Sequence, residues 1–183
     1  MIGCELAHTK RTAAGTIAGQ GHFPACIMSR KKKRMRKAWN WFGDVGRGGL
    51  VAAATLLPDR PGAVRPRVNS GLCLFAIKAL VDILKKAVPE RRPDGEDKES
   101  FPSEHAAQCV AAAMIIEREY PREVGALAYG LAAAVSLSRV ESGKHYPRDV
   151  IAGAAIGAAV VWASLRLHRF ADDRLGAARL GHA

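Results

Sequence analysis

Apolar residues gather into five stretches separated by charged, proline-containing segments: about Trp39 to Leu57, Ser70 to Leu84, Ser103 to Ile116, Val124 to Ser138, and Val150 to Leu165. None shows the period-two alternation of a strand, and no repeat recurs at solenoid spacing, so the pattern predicts an all-α fold, a bundle of about five short helices. A bilayer span needs about 20 apolar residues, and these runs are shorter. The second also contains Lys78 and Asp82, four apart, a spacing that suits an intrahelical ion pair. The fifth carries Ala152-Gly153-Ala154-Ala155-Ile156-Gly157-Ala158-Ala159, small residues that let helices approach closely as membrane bundles do. We therefore expect short membrane-embedded helices from residue 39 to 168. A basic, disordered or interfacial region (1–38) precedes them and a polar tail (169–183) follows.

Composition adjusts this picture without changing it. At 183 residues the chain suits one domain, and apolar residues make up an ordinary 49%. The mean hydropathy is near zero because polar ends dilute the apolar middle. The net charge of +11 fits an anionic membrane surface, a phosphorylated substrate or nucleic acid. The densest basic run, Ser29 to Lys37, leads into Trp39, Trp41 and Phe42, the arrangement of a polybasic segment ending at an aromatic interfacial anchor. No zinc-finger, helix-turn-helix or RNA-binding signature accompanies it, so no nucleic-acid partner is expected. Cys4, Cys26, Cys73 and Cys109 lack metal-site spacing and are expected to be free thiols. Residues 1–28 carry no convincing signal peptide.

Three blocks concentrate the chemistry: Lys85 with Arg92-Pro93, then Pro102-Ser103-Glu104-His105, then Ser138-Arg139 with His145 and Asp149. Ten fixed identities in three ordered blocks arise by chance on the order of once in ten million chains at about 5% usage per residue. Pro89 and Pro93 end the helix carrying Lys85, which puts Lys85 on its last turn and Arg92 in the loop beyond. Ser103 is a favoured N-cap, at a helix start whose free N–H groups suit an anion. Arg139 closes the fourth run. Pro147 suits the first turn of the fifth, with His145 at its entrance and Asp149 inside that turn. All three blocks should meet at one end of the bundle. These residue types imply phosphoryl transfer through a covalent intermediate. Cations and N–H donors hold the phosphate oxygens, one histidine attacks phosphorus with a carboxylate fixing its tautomer, and the other histidine protonates the leaving oxygen. No cofactor or metal is called for.

In order and spacing the blocks resemble the signature of the type 2 phosphatidic acid phosphatase superfamily, over about Trp39 to Leu165. That superfamily includes lipid phosphatases, polyprenyl-pyrophosphate phosphatases, soluble acid phosphatases and vanadium haloperoxidases. The resemblance implies His145 as nucleophile, Asp149 as its orienting acid, His105 as general acid, and Lys85, Arg92, Ser103, Arg139 and the backbone at Glu104 as phosphate ligands. Two features depart from the family. Its second block usually reads Pro-Ser-Gly-His, whereas Glu104 stands here in place of glycine; a carboxylate in a first helical turn is electrostatically comfortable and is expected to point outward. Membrane members commonly have six core helices, against the five counted here.

The expected protein is thus a metal-independent, multi-pass membrane phosphatase acting on a lipid phosphate monoester or pyrophosphate, polyprenyl or phosphatidate-like. The alternatives are a lipid-phosphate binder without turnover and a vanadate-dependent haloperoxidase. Lys86, Arg91, Lys98 and Lys144 are expected to form a solvated basic rim. The basic run before the first helix lies on the motif-bearing side, which by the positive-inside rule puts the site on the cytoplasmic face.

Overall fold

A computed structural model describes residues 30–56 and 64–180. The expectations for residues 1–28, Cys4 and Cys26 among them, and for residues 181–183 lie outside that range. Five helices follow one another: α1 (Arg30–Leu56), α2 (Val64–Ala87), α3 (Glu104–Glu119), α4 (Arg122–Glu141) and α5 (Pro147–Leu180). Among the described residues there is no strand, only an isolated bridge between Glu90 and Glu99 in the α2–α3 loop. The all-α bundle is therefore as the hydrophobic pattern predicts.

Both outer boundaries differ from expectation. The basic run is the first two turns of α1 rather than a separate region ending at residue 38, because Lys and Arg are good helix formers and nothing between Arg30 and Trp41 breaks a helix. At the other end α5 continues through residue 169 to Leu180, so the segment expected as a tail begins as helix.

The centre of the bundle is α3, which packs against all four other helices. It can do so because its buried positions are mostly alanine: Ala106, Ala107, Ala111, Ala112 and Ala113 are fully enclosed. One face joins Leu50 of α1 and Ala128, Ala132 and Val135 of α4. The other joins Cys73, Leu74, Ile77 and Val81 of α2 and Val161 of α5. Cys73 and Cys109 are free thiols in these cores.

Contact between α3 and α5 runs backbone to backbone. A Cβ placed on Gly153 or Gly157 would collide with the carbonyl oxygen of Ser103 or Ala107, respectively, so the small-residue run fulfils its packing expectation at two defined points. Large apolar side chains instead face outward: Leu72, Phe75 and Ile83 on α2, Leu127 on α4, and Ile151 and Trp162 on α5. Buried polar groups collect at one end, among them Ser100, Ser103, Arg139, His145 and Asp149. An exterior carrying large apolar side chains, with the buried polar groups gathered at one end, suits lipid surroundings. Among the described residues, Pro147–Leu167 is the one segment long and apolar enough to cross a bilayer, with a mean hydropathy of 1.8.

Candidate active site

Four helix ends and one helix face meet at the polar end. Lys85 sits in the last turn of α2, Glu104 and His105 open α3, Arg139 sits in the last turn of α4, and Asp149 lies in the first turn of α5. The α2–α3 loop supplies Arg92 and Ser100 and is fastened to the α4–α5 loop by Asp94 N–H donating to Gly143 O (3.0 Å). The Ser103 N–H donates to the Asp149 carbonyl (3.0 Å), tying α3 to α5. All eight residues singled out in the sequence occupy this one region.

His145 is 3% exposed, and its Nδ1 lies 2.6 Å from the carbonyl oxygen of Ser100. A carbonyl can only accept, so Nδ1 carries the proton and the Nε2 lone pair is left available. The sequence reading gave this orienting role to Asp149, whose Oδ2 is 4.0 Å from Nδ1. Instead that oxygen accepts from Ser100 Oγ (2.5 Å) and from the Tyr146 N–H (2.9 Å). Asp149 therefore fixes the backbone just after the histidine and the hydroxyl of Ser100, and acts on the ring through Ser100. Burial depresses the His145 pKa to about 4; the Ser100 carbonyl opposes this, and the charges of Arg139, Arg92 and Lys85 add to the depression. The imidazole is neutral at pH 7.

Arg139 links the two histidines. Its carbonyl accepts the His145 N–H (3.2 Å), while its Nη1 donates to Asn40 Oδ1 (2.9 Å) and Asp44 Oδ1 (3.3 Å). Asp44 Oδ1 is also 2.8 Å from His105 Nε2. Asn40, Asp44 and Arg47 of α1, and Ser100 of the α2–α3 loop, are neighbours of this site that the sequence reading did not single out. The spacing of four and three puts the α1 residues on one helix face, a signal that was present but unaccompanied by a recognisable block. Gly43 clears room beside them, since a Cβ there would lie 2.6 Å from Ser138 Oγ and 3.1 Å from the Arg139 guanidinium.

Three of the expected phosphate ligands hold buried polar atoms without a hydrogen-bond partner: Ser103 Oγ, Arg139 Nε and Arg92 Nε. Arg92 Nε lies 2.7 Å from Asp97 Oδ1, an ion pair whose angle does not make a hydrogen bond. Ser103 occupies the N-cap position of α3, yet its hydroxyl makes no capping bond. Uncompensated buried donors are costly, and an anion bound among them would satisfy them.

Glu104 does not point outward. Its Oε1 is 3.0 Å from Arg47 Nη1 and 3.7 Å from Lys78 Nζ, and its Oε2 is 3.9 Å from Lys85 Nζ. Three cations outweigh the preference of a first-turn carboxylate for solvent. Lys78 keeps the expected pair with Asp82 as well (3.1 Å). In the rim, Lys86, Arg91 and Lys98 are exposed. Lys144 is instead mostly enclosed and clamps Asp94 (3.0 Å) and Glu96 across the two loops. Trp41 is two-thirds exposed, whereas Trp39 packs edge-on against Phe42. Asn40 and Asp44 also line a cavity of about 430 Å³ shared with Trp41, Asp94, Glu96 and Lys144, which opens beside Arg139.

The family model of the PAP2 superfamily matches residues 68–173, a span that contains all three blocks and leaves α1 outside. Decaprenylphosphoryl-5-phosphoribose phosphatase of Mycobacterium tuberculosis is 31% identical over 128 residues, 65% of this chain and 71% of the relative. The protein of the same name from Mycolicibacterium smegmatis is 31% identical over 126 residues, 64% of this chain and 68% of its own. Lipid A 1-phosphatase of Porphyromonas gingivalis is 30% identical over 93 residues, 49% of this chain but 21% of that one. Among solved structures, LpxE of Aquifex aeolicus superposes with a TM-score of 0.59 at 20% identity, covering 73% of this chain and 86% of that one. The likeness is one of fold.

Proposed function

The chain belongs to the PAP2 superfamily, and from that premise we propose that it is a membrane-associated lipid phosphatase working through a phosphohistidine on His145. The observation carrying this reading is the Nδ1–H bond of His145 to Ser100 O, which leaves a neutral imidazole with Nε2 as an unprotonated nucleophile beside Arg139, Arg92 and Lys85. Nε2 attacks phosphorus and the bond from phosphorus to the lipid-side oxygen breaks. His105, whose Nε2 lies 2.8 Å from Asp44 Oδ1, delivers a proton to that oxygen; burial and the charges of Arg139 and Arg47 lower its pKa to about 3 in the free protein against the opposing Asp44, and the bound phosphate offsets those charges so that the ring takes the proton up. Water then attacks the phosphohistidine, giving its proton to His105, and inorganic phosphate leaves with Nε2 restored. Arg92, Arg139, Lys85, Ser103 Oγ and the first N–H groups of α3 offset the charge on the three equatorial oxygens. These donors supply the electrostatic stabilisation, so the cycle runs on the chain's own residues without a metal.

The substrate we propose is a polyprenyl-linked or phosphatidate-like phosphate, in keeping with the names of the similar phosphatases. The outward apolar side chains of α2, α4 and α5 give its lipid part a compatible surface. The 430 Å³ cavity beside Asn40 and Asp44 gives room for a polar headgroup. We further propose a multi-pass topology with residues 39–168 as the catalytic unit. The seven cations between Arg30 and Lys37, at the site end of α1, favour a cytoplasmic active site. A reporter fused after Ala183 would then read outside the cell, because α5 leads away from the site; a cytoplasmic reading refutes this orientation.

The catalytic test is phosphate release from a panel of lipid phosphates by detergent-purified protein in the presence of a chelator. Wild type should be active and His145→Ala should lose at least about a thousandfold, as expected when a covalent nucleophile is removed. Release that persists in the variant overturns the histidine mechanism. Halide oxidation with vanadate, in place of phosphate release, would reassign the pocket to peroxidase chemistry.

A further inference from the structure

Glu104 stands beside His105, the proposed leaving-group acid, and has drawn three cations around itself: Arg47 at 3.0 Å, Lys78 at 3.7 Å and Lys85 at 3.9 Å. Arg47 Nη1 also reaches Gln108 Oε1 (3.4 Å), which is mostly buried on the next turn of α3. The carboxylate is itself largely enclosed, its side chain 14% exposed. Two of these cations, Arg47 and Lys78, are additional to the phosphate ligands named above. Neither is required to hold a single phosphoryl group already surrounded by Arg92, Arg139, Lys85 and Ser103.

We propose that Glu104 is a specificity-determining residue, a built-in anion occupying the subsite of a second phosphate, so that the site accepts a terminal monophosphate and rejects a diphosphate. The inference rests on the phosphatase reading of this pocket and narrows its substrate class. In a diphosphate, the group on the far side of the leaving oxygen is another phosphate, one bridging oxygen from the atom that His105 protonates. That second group carries negative charge and would need cations on the His105 side of the pocket. Besides Arg139, which also faces the phosphoryl group, the cations there are Arg47, Lys78 and the shared Lys85, and Glu104 pairs with all three, Lys78 lying closer still to Asp82. A diphosphate would have to displace a carboxylate from a three-cation cradle while lying against it, a like-charge contact in poorly hydrated surroundings. A monophosphate ester places an uncharged carbon there and meets no such opposition.

Glu104→Gln tests this with little change of shape, since the amide can still accept from Arg47 while the charge is gone. The assay compares kcat/KM for farnesyl phosphate and farnesyl diphosphate, which share one lipid, using the full chain in detergent. Wild type should favour the monophosphate by at least about tenfold. In the variant the preference should shift toward the diphosphate by about 10- to 100-fold, the range for one like charge roughly 6 to 12 Å away at an effective dielectric near 20. Adding Lys78→Met to Glu104→Gln should take back part of the gain, because Lys78, then paired with Asp82 alone, supplies part of the positive charge that a second phosphate meets. Equal effects on both substrates, or a wild type that turns over the diphosphate as readily, overturns the assignment.

A second arm needs no turnover: calorimetric binding of inorganic phosphate and pyrophosphate. Glu104→Gln should tighten pyrophosphate by the same 10- to 100-fold while changing phosphate by less than about threefold. If wild type hydrolyses neither ester, the phosphatase reading fails and this arm decides alone. Selective tightening of pyrophosphate upholds the Glu104 subsite, and unchanged selectivity overturns it.

Discussion

Acidification probes the environment of His145 directly, and the structure sets both the position and the size of the effect. The ring is buried, its Nδ1–H is committed to the Ser100 carbonyl, and the charges of Arg139, Arg92 and Lys85 oppose a second proton, which puts its pKa at about 4 against an ordinary 6.5. Between these values the unfolded chain binds a proton that the folded chain refuses. Stability therefore falls as pH drops from about 6.5 to about 4 and is insensitive to this group above 6.5. The gap corresponds to about 3 kcal/mol at about 1.4 kcal/mol per pH unit. Urea unfolding in detergent should show His145-dependent stability decline over that window, and His145→Gln should flatten the decline by roughly the same amount. The same shift governs reactivity. The imidazole resonances of His145 should titrate near pH 4 in the free protein, well below the limb near 6 that a phosphate monoester contributes through its own second ionisation. Bound phosphate offsets the guanidinium charges, so saturating inorganic phosphate should move the titration upward. A His145 titration near 6.5 in the free protein, unmoved by phosphate, refutes the argument that burial and the cation cluster keep this imidazole deprotonated.

Two further outcomes follow from contacts described above. Asp44→Asn should lower kcat by about 10- to 100-fold with little change in KM, because His105, whose protonation burial and the charges of Arg139 and Arg47 already disfavour, keeps a hydrogen-bond partner but loses the carboxylate charge that opposes them. The alkaline limb of kcat should move to lower pH, which a merely structural defect would not produce. Gly157→Leu should destabilise the bundle by at least about 1–3 kcal/mol, since even its Cβ meets the Ala107 carbonyl across the α3–α5 contact; a melting temperature equal to wild type would contradict that backbone approach.

What the sequence revealed and what it hid have different physical origins. Prolines and caps are local, so Pro89, Pro93 and Pro147 correctly positioned Lys85, Arg92, His145 and Asp149 at element ends. The convergence of the blocks followed from alternating helix direction. Three contributions depend on tertiary approach and leave little local trace. Ser100 acts through its backbone carbonyl, which is present at every residue and so has no side-chain signature. Asn40, Asp44 and Arg47 gain their meaning from Arg139, His105 and Glu104, each on another helix. Glu104 was expected outside because its first-turn position favours solvent, and the cations that draw it inward come from α1 and α2.

The glycines of the bundle also divide its helices into two mechanical classes. Gly43 and Gly46 bring α1 close against α4, Gly125 brings α4 against α3, and Gly153 and Gly157 bring α5 against α3. Those four helices interlock like meshed gears, where sliding any one drives atoms into a neighbour. Helix α2 has no such tooth: Gly71 faces open space, and the helix is held by the side chains of Cys73, Leu74, Ile77 and Val81. Gly125, Gly153 and Gly157 meet backbone of α3 or its N-cap, which cannot give, whereas α2 rests on side chains that can change rotamer, so α2 yields at less cost than α4 or α5. It carries Lys78 and Lys85 on one side and the exposed Leu72, Phe75 and Ile83 on another. A long-tailed molecule pressing in from the apolar side would thus meet its softest doorway on the helix that carries Lys78 and Lys85 to the polar end.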